Sequence, residues 1–340
     1  MIIYIKYMKK IIVTTTIYDS PELEKYAKMN GWEFIIVGDL KTPKINLPNA
    51  EILTAEDQKK LPYNICDVIP WNCVGRRNIG YIHALANGAD IIATVDNDNF
   101  PLENWSFPLL DGDMDLRVVE DRNFFDILRY VTDGVLWHRG TLYEDINKEE
   151  KYNFKEKKIK IGIQANLWLG EPDVDGIGRL TRNMELGKKM IARFDKPLAV
   201  GKNVFAPYDS QNTAFLREFV VPALLPYGGF FNRNDDIWSS YVTERLLWET
   251  DFHIAFGVPT VTQERNPRDP SRTWKEIERE IDFALNLRKL LEFLRNITFK
   301  SNNMTENFIY LNEKLEKQDF VPKEYAKLWR KWTKDIEKYL

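Results

Sequence analysis

Two hydrophobic periods alternate along the first hundred residues. Runs rich in β-branched and other apolar residues at Lys10–Thr16, Trp32–Val37 and Ala89–Val95 predict short buried strands. Between the first two, Ser20 followed by proline is typical of a helix start. Val74–Asn87 carries apolar or small side chains at helical spacing and is followed by glycine, so it predicts a helix.

The order strand, helix, strand, then helix, strand indicates an α/β fold. It predicts a parallel sheet with helices on both faces. Ligands of such sheets bind at the carboxyl ends of the strands. Polar residues stand at three of these ends, namely Thr14, Thr15 and Thr16, then Asp39, then Asp96 to Asn99.

The C-terminal part has a different pattern. From residue 271 onward, apolar residues recur at helical spacing in three successive stretches. We therefore expect a catalytic α/β domain over residues 1–270 and a helical extension over 271–340, and the extension could supply an interface between copies of the chain.

Composition and charge exclude several classes. The 340 residues include 44% hydrophobic and 29% charged residues with a net charge of −3, which argues against a disordered chain or a generic nucleic-acid binder. Two cysteines and three histidines argue against a zinc site built from cysteine and histidine ligands, so we expect any metal to be held by carboxylates. No uncharged run is long enough for a membrane span, and the N-terminal MIIYIKYMKK is too short and charged for a signal peptide. We expect a cytoplasmic protein.

The sharpest chemical feature is Asp96-Asn97-Asp98-Asn99, directly after an apolar strand. Carboxylates at positions i and i+2 can reach one divalent cation, and such hard oxygen ligands suit Mg²⁺ or Mn²⁺. The cation would neutralise a diphosphate and help it leave. The alternative is a solvated turn, because Asp and Asn are common turn residues.

Two further groups could complete a site. Arg76 and Arg77, followed by Asn78, open the helix that leads into the acidic strand end, where guanidinium groups could hold phosphate oxygens. Asp235 and Asp236 precede an apolar helix. One of them could act in the site as a base while the other caps the helix, and Asp236 has the sequence context of an N-cap.

These motifs together resemble two families. The segments R-R-N-I-G-Y, V-D-N-D-N, Ser210 to Thr213 and D-I-W, in this order, look like the STELLO-type glycosyltransferase-like family. The segments N-L-W-L, P-D, D-D-I-W and G-V-P are similar to motifs of the reversibly glycosylated polypeptide family, which includes UDP-arabinopyranose mutases. The resemblance spans about residues 10–270.

The resemblance implies a GT-A-type fold, with a Rossmann-like, mixed but mostly parallel sheet flanked by helices, that binds a nucleotide-sugar with Mn²⁺ or Mg²⁺. It assigns the metal to Asp96 and Asp98, and catalysis to Asp235 or Asp236. The remaining residues fall into two implied groups. Those expected to contact the nucleotide are Thr14, Thr15, Thr16, Asp39, Arg76, Arg77, Asn78, Asp96 and Asn97, and those expected to contact the sugar or acceptor are Trp168, Gln211, Asn212 and Trp238.

The sequence departs from these families at two places: the acidic triplet, which is usually all aspartate, has Asn97 in its middle, and the reactive arginine of the mutase family is missing. That family carries a reactive arginine in a Y-x-F-x-x-R-x-G context, whereas Tyr152-Asn153-Phe154 is followed here only by lysines and glutamate. We therefore expect a metal-dependent glycosyltransferase that moves a sugar from a UDP- or GDP-sugar to an acceptor hydroxyl. The alternatives are an NDP-sugar mutase, a non-catalytic nucleotide-sugar-binding protein, and a nucleotidyltransferase, although no glycine-rich loop follows the first strand.

Overall fold

The structure is a computed structural model that describes residues 8–148, 151–227, 232–264 and 270–340. Residues 1–7, which form most of the N-terminal segment considered above as a signal peptide, lie outside the described residues.

Ten strands and ten α-helices are defined in the described part of the chain. The strands are β1 (Lys10–Thr15), β2 (Glu33–Val37), β3 (Glu51–Leu53), β4 (Ile91–Val95), β5 (Asn99–Pro101), β6 (Asp113–Val119), β7 (Phe154–Gly170), β8 (Leu198–Val200), β9 (Asn212–Leu216) and β10 (Phe252–Gln263). The helices are α1 (Pro21–Tyr26), α2 (Ala55–Gln58), α3 (Arg77–Ala86), α4 (Ile127–Val131), α5 (Gly176–Thr181), α6 (Met184–Ile191), α7 (Asp235–Leu247), α8 (Pro270–Asn296), α9 (Met304–Leu315) and α10 (Tyr325–Ile336).

All ten strands belong to one mixed sheet in the order β3-β2-β1-β4-β9-β7-β6-β8-β10-β5. The first four strands are mutually parallel, and β9 then joins β4 antiparallel. The expected α/β architecture, a mixed sheet flanked by helices, is confirmed. The carboxyl ends of β1, β2 and β4 lie side by side, which is where polar residues were predicted to gather.

The predicted N-terminal elements are present with shifted ends. The strands expected from Lys10, Trp32 and Ala89 are β1, β2 and β4. The helix expected from Val74 begins with a 3-10 turn over Val74–Arg76 before α3. The interior of β1 is completely buried, as its β-branched residues predict.

The expected C-terminal helices are α8, α9 and α10. On α8, side chains spaced three and four residues apart are buried, from Thr273 through Leu294, and they face the core. The division of the chain at residue 270 stays a prediction. Within the described residues, every helix is too short or too polar to cross a membrane.

Candidate active site

A cleft of about 490 Å³ opens at the carboxyl ends of β1, β2 and β4. The acidic loop after β4 forms one wall, and the turn that leads into α3 forms another. The cleft is lined by Thr15, Thr16, Ile17, Tyr18, Val37, Gly38, Asp39, Lys41, Asn72, Cys73, Val74, Arg76, Arg77, Asp96, Asn97 and Asp98. The sequence predicted seven of these side chains as ligands of a nucleotide and one, Asp98, as a ligand of its metal.

Hydrogen bonds to several elements hold the acidic loop. The Asp96 amide donates to the Gln211 carbonyl at 3.1 Å. The Asn97 side chain donates to Thr16 Oγ1 at 3.0 Å, and Asp98 Oδ2 accepts from Gln263 Nε2 at 3.1 Å. Three different strand ends therefore fix the loop, which argues against the alternative of a freely solvated turn.

Arg77 is the central cation of the cleft. Its guanidinium is 1% exposed, and Nη2 donates to Asp96 Oδ1 at 2.7 Å. The other terminal nitrogen donates to Thr94 Oγ1 and Ser210 Oγ, both at 3.2 Å. Burial alone would lower the pKa of Arg77, but the Asp96 carboxylate raises it above its ordinary value. The Arg77 side chain therefore stays charged and sets the direction of Asp96.

A glycine one turn further along α3 brings Arg77 to this point. A Cβ atom on Gly80 would lie 2.4 Å from Val13 Cγ1 and 2.8 Å from Val37 Cγ2. Because glycine has no side chain, α3 can pack directly on β1 and β2. This close packing places the first residue of the helix at the strand ends.

Arg76 points to the other side of the same turn. Its Nε donates to Gln58 Oε1 at 2.7 Å and its Nη1 to the Ile69 carbonyl at 2.8 Å. Its guanidinium also stacks on the Trp71 ring, with Cζ 3.5 Å from the ring centroid. Arg76 lines the cleft while these contacts fix its position.

The predicted nucleoside contacts divide into two sets. Thr15 and Thr16 line the cleft, whereas Thr14 is fully buried and donates to the Val95 carbonyl at 2.7 Å. Asp39 lines the cleft, and its Oδ2 accepts from the backbone N–H of Asn72 at 2.7 Å. Asp39 thus holds the loop that carries the wall opposite Asp96.

A second polar cluster is built around Arg139, in the loop after α4. Its Nη2 lies 3.0 Å from Asp173 Oδ2, 2.9 Å from Asp209 Oδ1 and 2.9 Å from Asp236 Oδ2. Burial alone would lower the pKa of Arg139, but these carboxylates raise it well above its ordinary value. We define Arg139, Asp173, Asp209 and Asp236 as the arginine cluster.

Ser210 connects the cleft to the arginine cluster. Its hydroxyl accepts from Arg77 Nη1 at 3.2 Å, and its backbone N–H donates to Asp236 Oδ2 at 3.4 Å. A continuous chain of contacts thus runs from Asp96 through Arg77 and Ser210 to Asp236. The two acidic motifs, 139 residues apart in sequence, belong to one site.

His138 and Trp168 extend the arginine cluster. His138 Nε2 lies 3.3 Å from Asp209 Oδ2, and its ring meets Trp168 edge to face at 6.5 Å. Burial alone would lower the pKa of His138, but the Asp209 carboxylate raises it to about 9. His138 is therefore an imidazolium at neutral pH. The predicted sugar contact Trp168 is only 3% exposed.

Three predicted ligand residues pack elsewhere. Asn78 exchanges two hydrogen bonds with the backbone of Leu225, at 2.7 and 2.9 Å. The Asn212 side chain bonds Thr260 Oγ1 at 3.0 Å within the sheet. Trp238 is 1% exposed and meets the Tyr325 ring at 5.8 Å, on the side of α7 that faces the C-terminal helices. These contacts give all three residues packing roles.

The N-cap interpretation of Asp236 is corrected. Helix α7 begins at Asp235 after Asn234, so both acids lie in its first turn. A buried first turn leaves backbone N–H groups that need partners, and Asp236 Oδ1 accepts from Ile237 N–H at 3.0 Å. The other oxygen of Asp236 remains directed at Arg139.

Three amides beside the acidic loop each lack a donor. Their nitrogens are committed: Asn99 donates to the Gln211 carbonyl at 3.0 Å, Gln211 to Asp209 at 3.5 Å, and Gln263 to Asp98 at 3.1 Å. Among the described residues, no group donates to the buried side-chain oxygens of these three amides. Each such oxygen costs about 1–3 kcal/mol unless a ligand or water supplies a donor.

The donor set for a cation consists of Asp96 and Asp98. In the part of the chain that the structure describes, His, Cys, Asp and Glu form no group of three or more arranged around a metal position. The two carboxylates are nevertheless hard oxygen donors that line the same cleft. They fit one Mg²⁺ or Mn²⁺ whose other ligands are diphosphate and water oxygens.

The sequence prediction missed Arg139, His138 and Gln263. An isolated arginine in a loop gives no periodic signal, and its three carboxylate partners come from distant segments. The glycine after Arg139 was the one available hint, since Gly140 has a φ of 89° and a Cβ there would lie 2.4 Å from Ile237 Cγ2.

No protein-family model matches the chain. Two Arabidopsis thaliana proteins named probable glycosyltransferase, STELLO1 and STELLO2, are 26% and 27% identical to it over 96% of its length. The chain is similar to the STELLO proteins. It spans 44% of the length of each of these relatives.

Two further matches are more distant. An Arabidopsis thaliana protein named probable UDP-arabinopyranose mutase 4 is 25% identical over 73% of the chain and 67% of its own length. A crystal structure of S. aureus TarS residues 1–349 covers 98% of the chain, and the chain covers 91% of it, with 10% identity and a TM-score of 0.31. The likeness to TarS is too low to support an inference about this chain.

Proposed function

We propose that the chain is a metal-dependent glycosyltransferase that moves a sugar from a UDP- or GDP-sugar to an acceptor hydroxyl. The observation that carries the proposal is the continuous path from Asp96 to Asp236 through Arg77 and Ser210. A donor diphosphate at Asp96 would therefore place its sugar beside a second carboxylate. The STELLO relatives, which are named glycosyltransferases, support the same reaction class.

The donor would lie in the cleft with its diphosphate at the acidic loop. Arg77 and Arg76 would balance the phosphate charge while Asp96 and Asp98 hold a Mn²⁺ or Mg²⁺. When bound, that cation would neutralise the leaving diphosphate. Tyr18, 62% exposed at the cleft, offers an aromatic face to the nucleobase.

The amides beside the acidic loop support a ligand rich in hydroxyl groups. The oxygens of Asn99, Gln211 and Gln263 are acceptors that require donors. Sugar hydroxyls supply such donors, and an apolar ligand would leave the oxygens without partners. The three oxygens are buried and their residues do not line the cleft, so we propose that they meet sugar hydroxyls through water, beside Trp168.

We assign the base to Asp236 and a structural place to Asp235. The Asp236 side chain is 17% exposed and belongs to the arginine cluster, whereas Asp235 is 4% exposed. As base, Asp236 would take the proton of the acceptor hydroxyl. The acceptor oxygen would bond to the anomeric carbon as the bond from that carbon to the diphosphate oxygen breaks.

A panel of nucleotide-sugars tests the proposal. UDP-, GDP- and dTDP-sugars are added with and without Mn²⁺, and the melting temperature and the release of nucleoside diphosphate are measured. A ligand at a hundred times its Kd should stabilise the fold by about 2.7 kcal/mol. Asp98→Ala should remove the metal-dependent shift, whereas Asp113→Ala, which changes an exposed acid of β6 outside the cleft, should keep it.

Binding without turnover would favour the non-catalytic alternative, and no binding would contradict the proposal. For the mutase alternative, the lysines that replace the reactive arginine lie on β7, where Lys155 and Lys157 pair with Glu120. They are absent from the lining of the cleft. We therefore expect no sugar adduct in the intact mass and no change of ring form without an acceptor.

Self-association through the C-terminal helices also stays a prediction. Trp274, Ile281 and Leu285 are exposed on one face of α8. Sedimentation velocity over a range of concentrations measures whether copies of the chain associate.

A further inference from the structure

We propose that Arg139 is a positioning residue that holds the Asp236 carboxylate in place and directed at the acceptor. The inference rests on the function proposed above, because it concerns the carboxylate that would act as base. It assigns a task to a buried arginine that does not line the nucleotide cleft.

The first step is the charge balance of the arginine cluster. Asp209 has a second cationic partner, the His138 imidazolium at 3.3 Å. Asp173 also has a second one, because Arg233 Nη2 lies 3.3 Å from its Oδ1. Two of the three carboxylates around Arg139 thus have a second basic neighbour, and Arg233 shares its charge with Glu276 and Glu280.

Asp236 is the carboxylate that depends on Arg139. Its other contacts among the described residues are the neutral backbone N–H groups of Ser210 and Ile237. The ionisable groups that surround it, from every element packed there, are Arg139, Asp173, Asp209, Asp235, Arg77, Tyr81 and Tyr208. Arg77 is already paired with Asp96, so Arg139 is the cation that holds Asp236.

The second step is exposure. Side chains of Asp209 and Asp173 are 2% and 9% exposed, whereas Asp236 is 17% exposed. Asp236 is therefore the member of the arginine cluster that an acceptor could reach. Arg139 itself is 5% exposed and cannot meet the acceptor without moving.

The third step is rigidity. The Tyr241 hydroxyl donates to the Gly140 carbonyl at 2.6 Å, which ties the Arg139 loop to α7. Asp236 lies in the first turn of that helix. The arginine and the carboxylate are thus held on both sides of their contact, and a base displaced by about 1 Å can lose a hundredfold in rate.

The test compares kcat with nucleotide affinity. In Arg139→Gln we expect kcat to fall about a hundredfold or more, while the Kd of UDP with Mn²⁺, measured by calorimetry, changes less than about threefold. Arg139→Lys should have a kcat between those of Arg139→Gln and the unchanged protein, because lysine keeps the positive charge but lacks the planar guanidinium group. The donor is the nucleotide-sugar turned over fastest in the panel above.

Arg233→Lys is the matched control. Arg233 pairs with Asp173, Glu276 and Glu280 but does not contact Asp236, so kcat should stay within about threefold. A purely structural role for Arg139 would instead show equal losses of melting temperature, affinity and kcat in Arg139→Lys and in Arg233→Lys.

The possible failures are distinguishable. If Arg139→Gln does not fold, Arg139→Lys carries the test through its ratio of kcat to affinity. Full kcat in a folded Arg139→Gln, or a loss confined to UDP affinity, would overturn the proposal and leave the proposed function standing. If the unchanged protein binds no nucleotide-sugar, the proposed function fails, and this proposal fails with it.

Discussion

Asp96→Ala should destabilise the protein as well as remove nucleotide binding. The substitution removes the carboxylate 2.7 Å from Arg77, whose guanidinium is 1% exposed. A buried cation that loses its partner is far more costly than a pair replaced by apolar groups. Adding Arg77→Met should therefore restore much of the stability that Asp96→Ala loses.

The magnitude follows from the exposure of each partner. Breaking a fully buried ion pair costs about 3–5 kcal/mol. The Asp96 side chain is 35% exposed, so water screens part of the interaction, and we expect a smaller loss of unfolding free energy, about 2–3 kcal/mol. Hydrogen bonds from Arg77 to Ser210 and Thr94 persist and limit the loss further. At about 1.4 °C per kcal/mol for a chain of 340 residues, Asp96→Ala should melt about 3–4 °C lower.

The assay is a double-mutant cycle. Urea denaturation gives the free energy of unfolding of the unchanged protein, both single variants and the double variant. The double variant should be more stable than Asp96→Ala alone. Asp96→Asn, which keeps an oxygen for Arg77, should lie between them, and all variants should lose Mn²⁺-dependent UDP binding.

Two results would refute this reasoning. An unchanged melting temperature in Asp96→Ala would mean that Arg77 needs no counter-charge. Strictly additive losses in the double variant would mean that the two side chains contribute independently to stability.

Three other perturbations test the interior around the site. The Asp209 carboxylate raises the pKa of His138 to about 9, so protonated His138 stabilises the fold fully below about pH 6.5, and this stabilisation is lost as the pH rises through 9. The free energy of unfolding should fall by about 3 kcal/mol over this pH range, and His138→Gln should abolish this fall. Burial raises the pKa of Glu244 well above its ordinary value, so the stability of the fold decreases as the pH rises above about 4.3. Glu244→Gln should therefore melt at a higher temperature than the unchanged protein at pH 8, because the glutamine oxygen can still accept the hydrogen bond from the Ala206 N–H. Gly140→Ala should lower the free energy of unfolding by about 2 kcal/mol and remove most of kcat, because residue 140 has a φ of 89° and its new Cβ atom would press on α7. A normal kcat in this variant would show that α7 tolerates the added methyl group.

The sequence predicted the parts of the fold that depend on local pattern. Strands β1, β2 and β4 are buried runs with β-branched residues, and the polar residues at their ends could be placed at one edge by topology alone. The acidic loop and Arg77 were predicted for the same reason, since each lies next to a strand end or a helix start.

Contacts between distant segments could not be predicted in this way. Asn78 and Trp238 are residue types that often bind ligands. In the folded chain, however, the Asn78 side chain bonds to Leu225 and the Trp238 side chain packs against the C-terminal helices. Arg139 meets carboxylates from three separate segments, and no hydrophobic period in the sequence marks it. A helix start can also differ from its prediction by two residues, as it does for α7, whose N-cap is Asn234 and not Asp236, and this changes which acid reaches the site.

The fixed acidic loop has a kinetic consequence. Its residues are already bonded to Gln211, Thr16 and Gln263, so they have little freedom left to lose when a ligand arrives. A ligand that need not order its own binding loop can associate in a single step. The speed of the encounter would then depend mainly on diffusion. The cleft is lined by three acidic and three basic side chains, so added salt should change the rate of nucleotide association little.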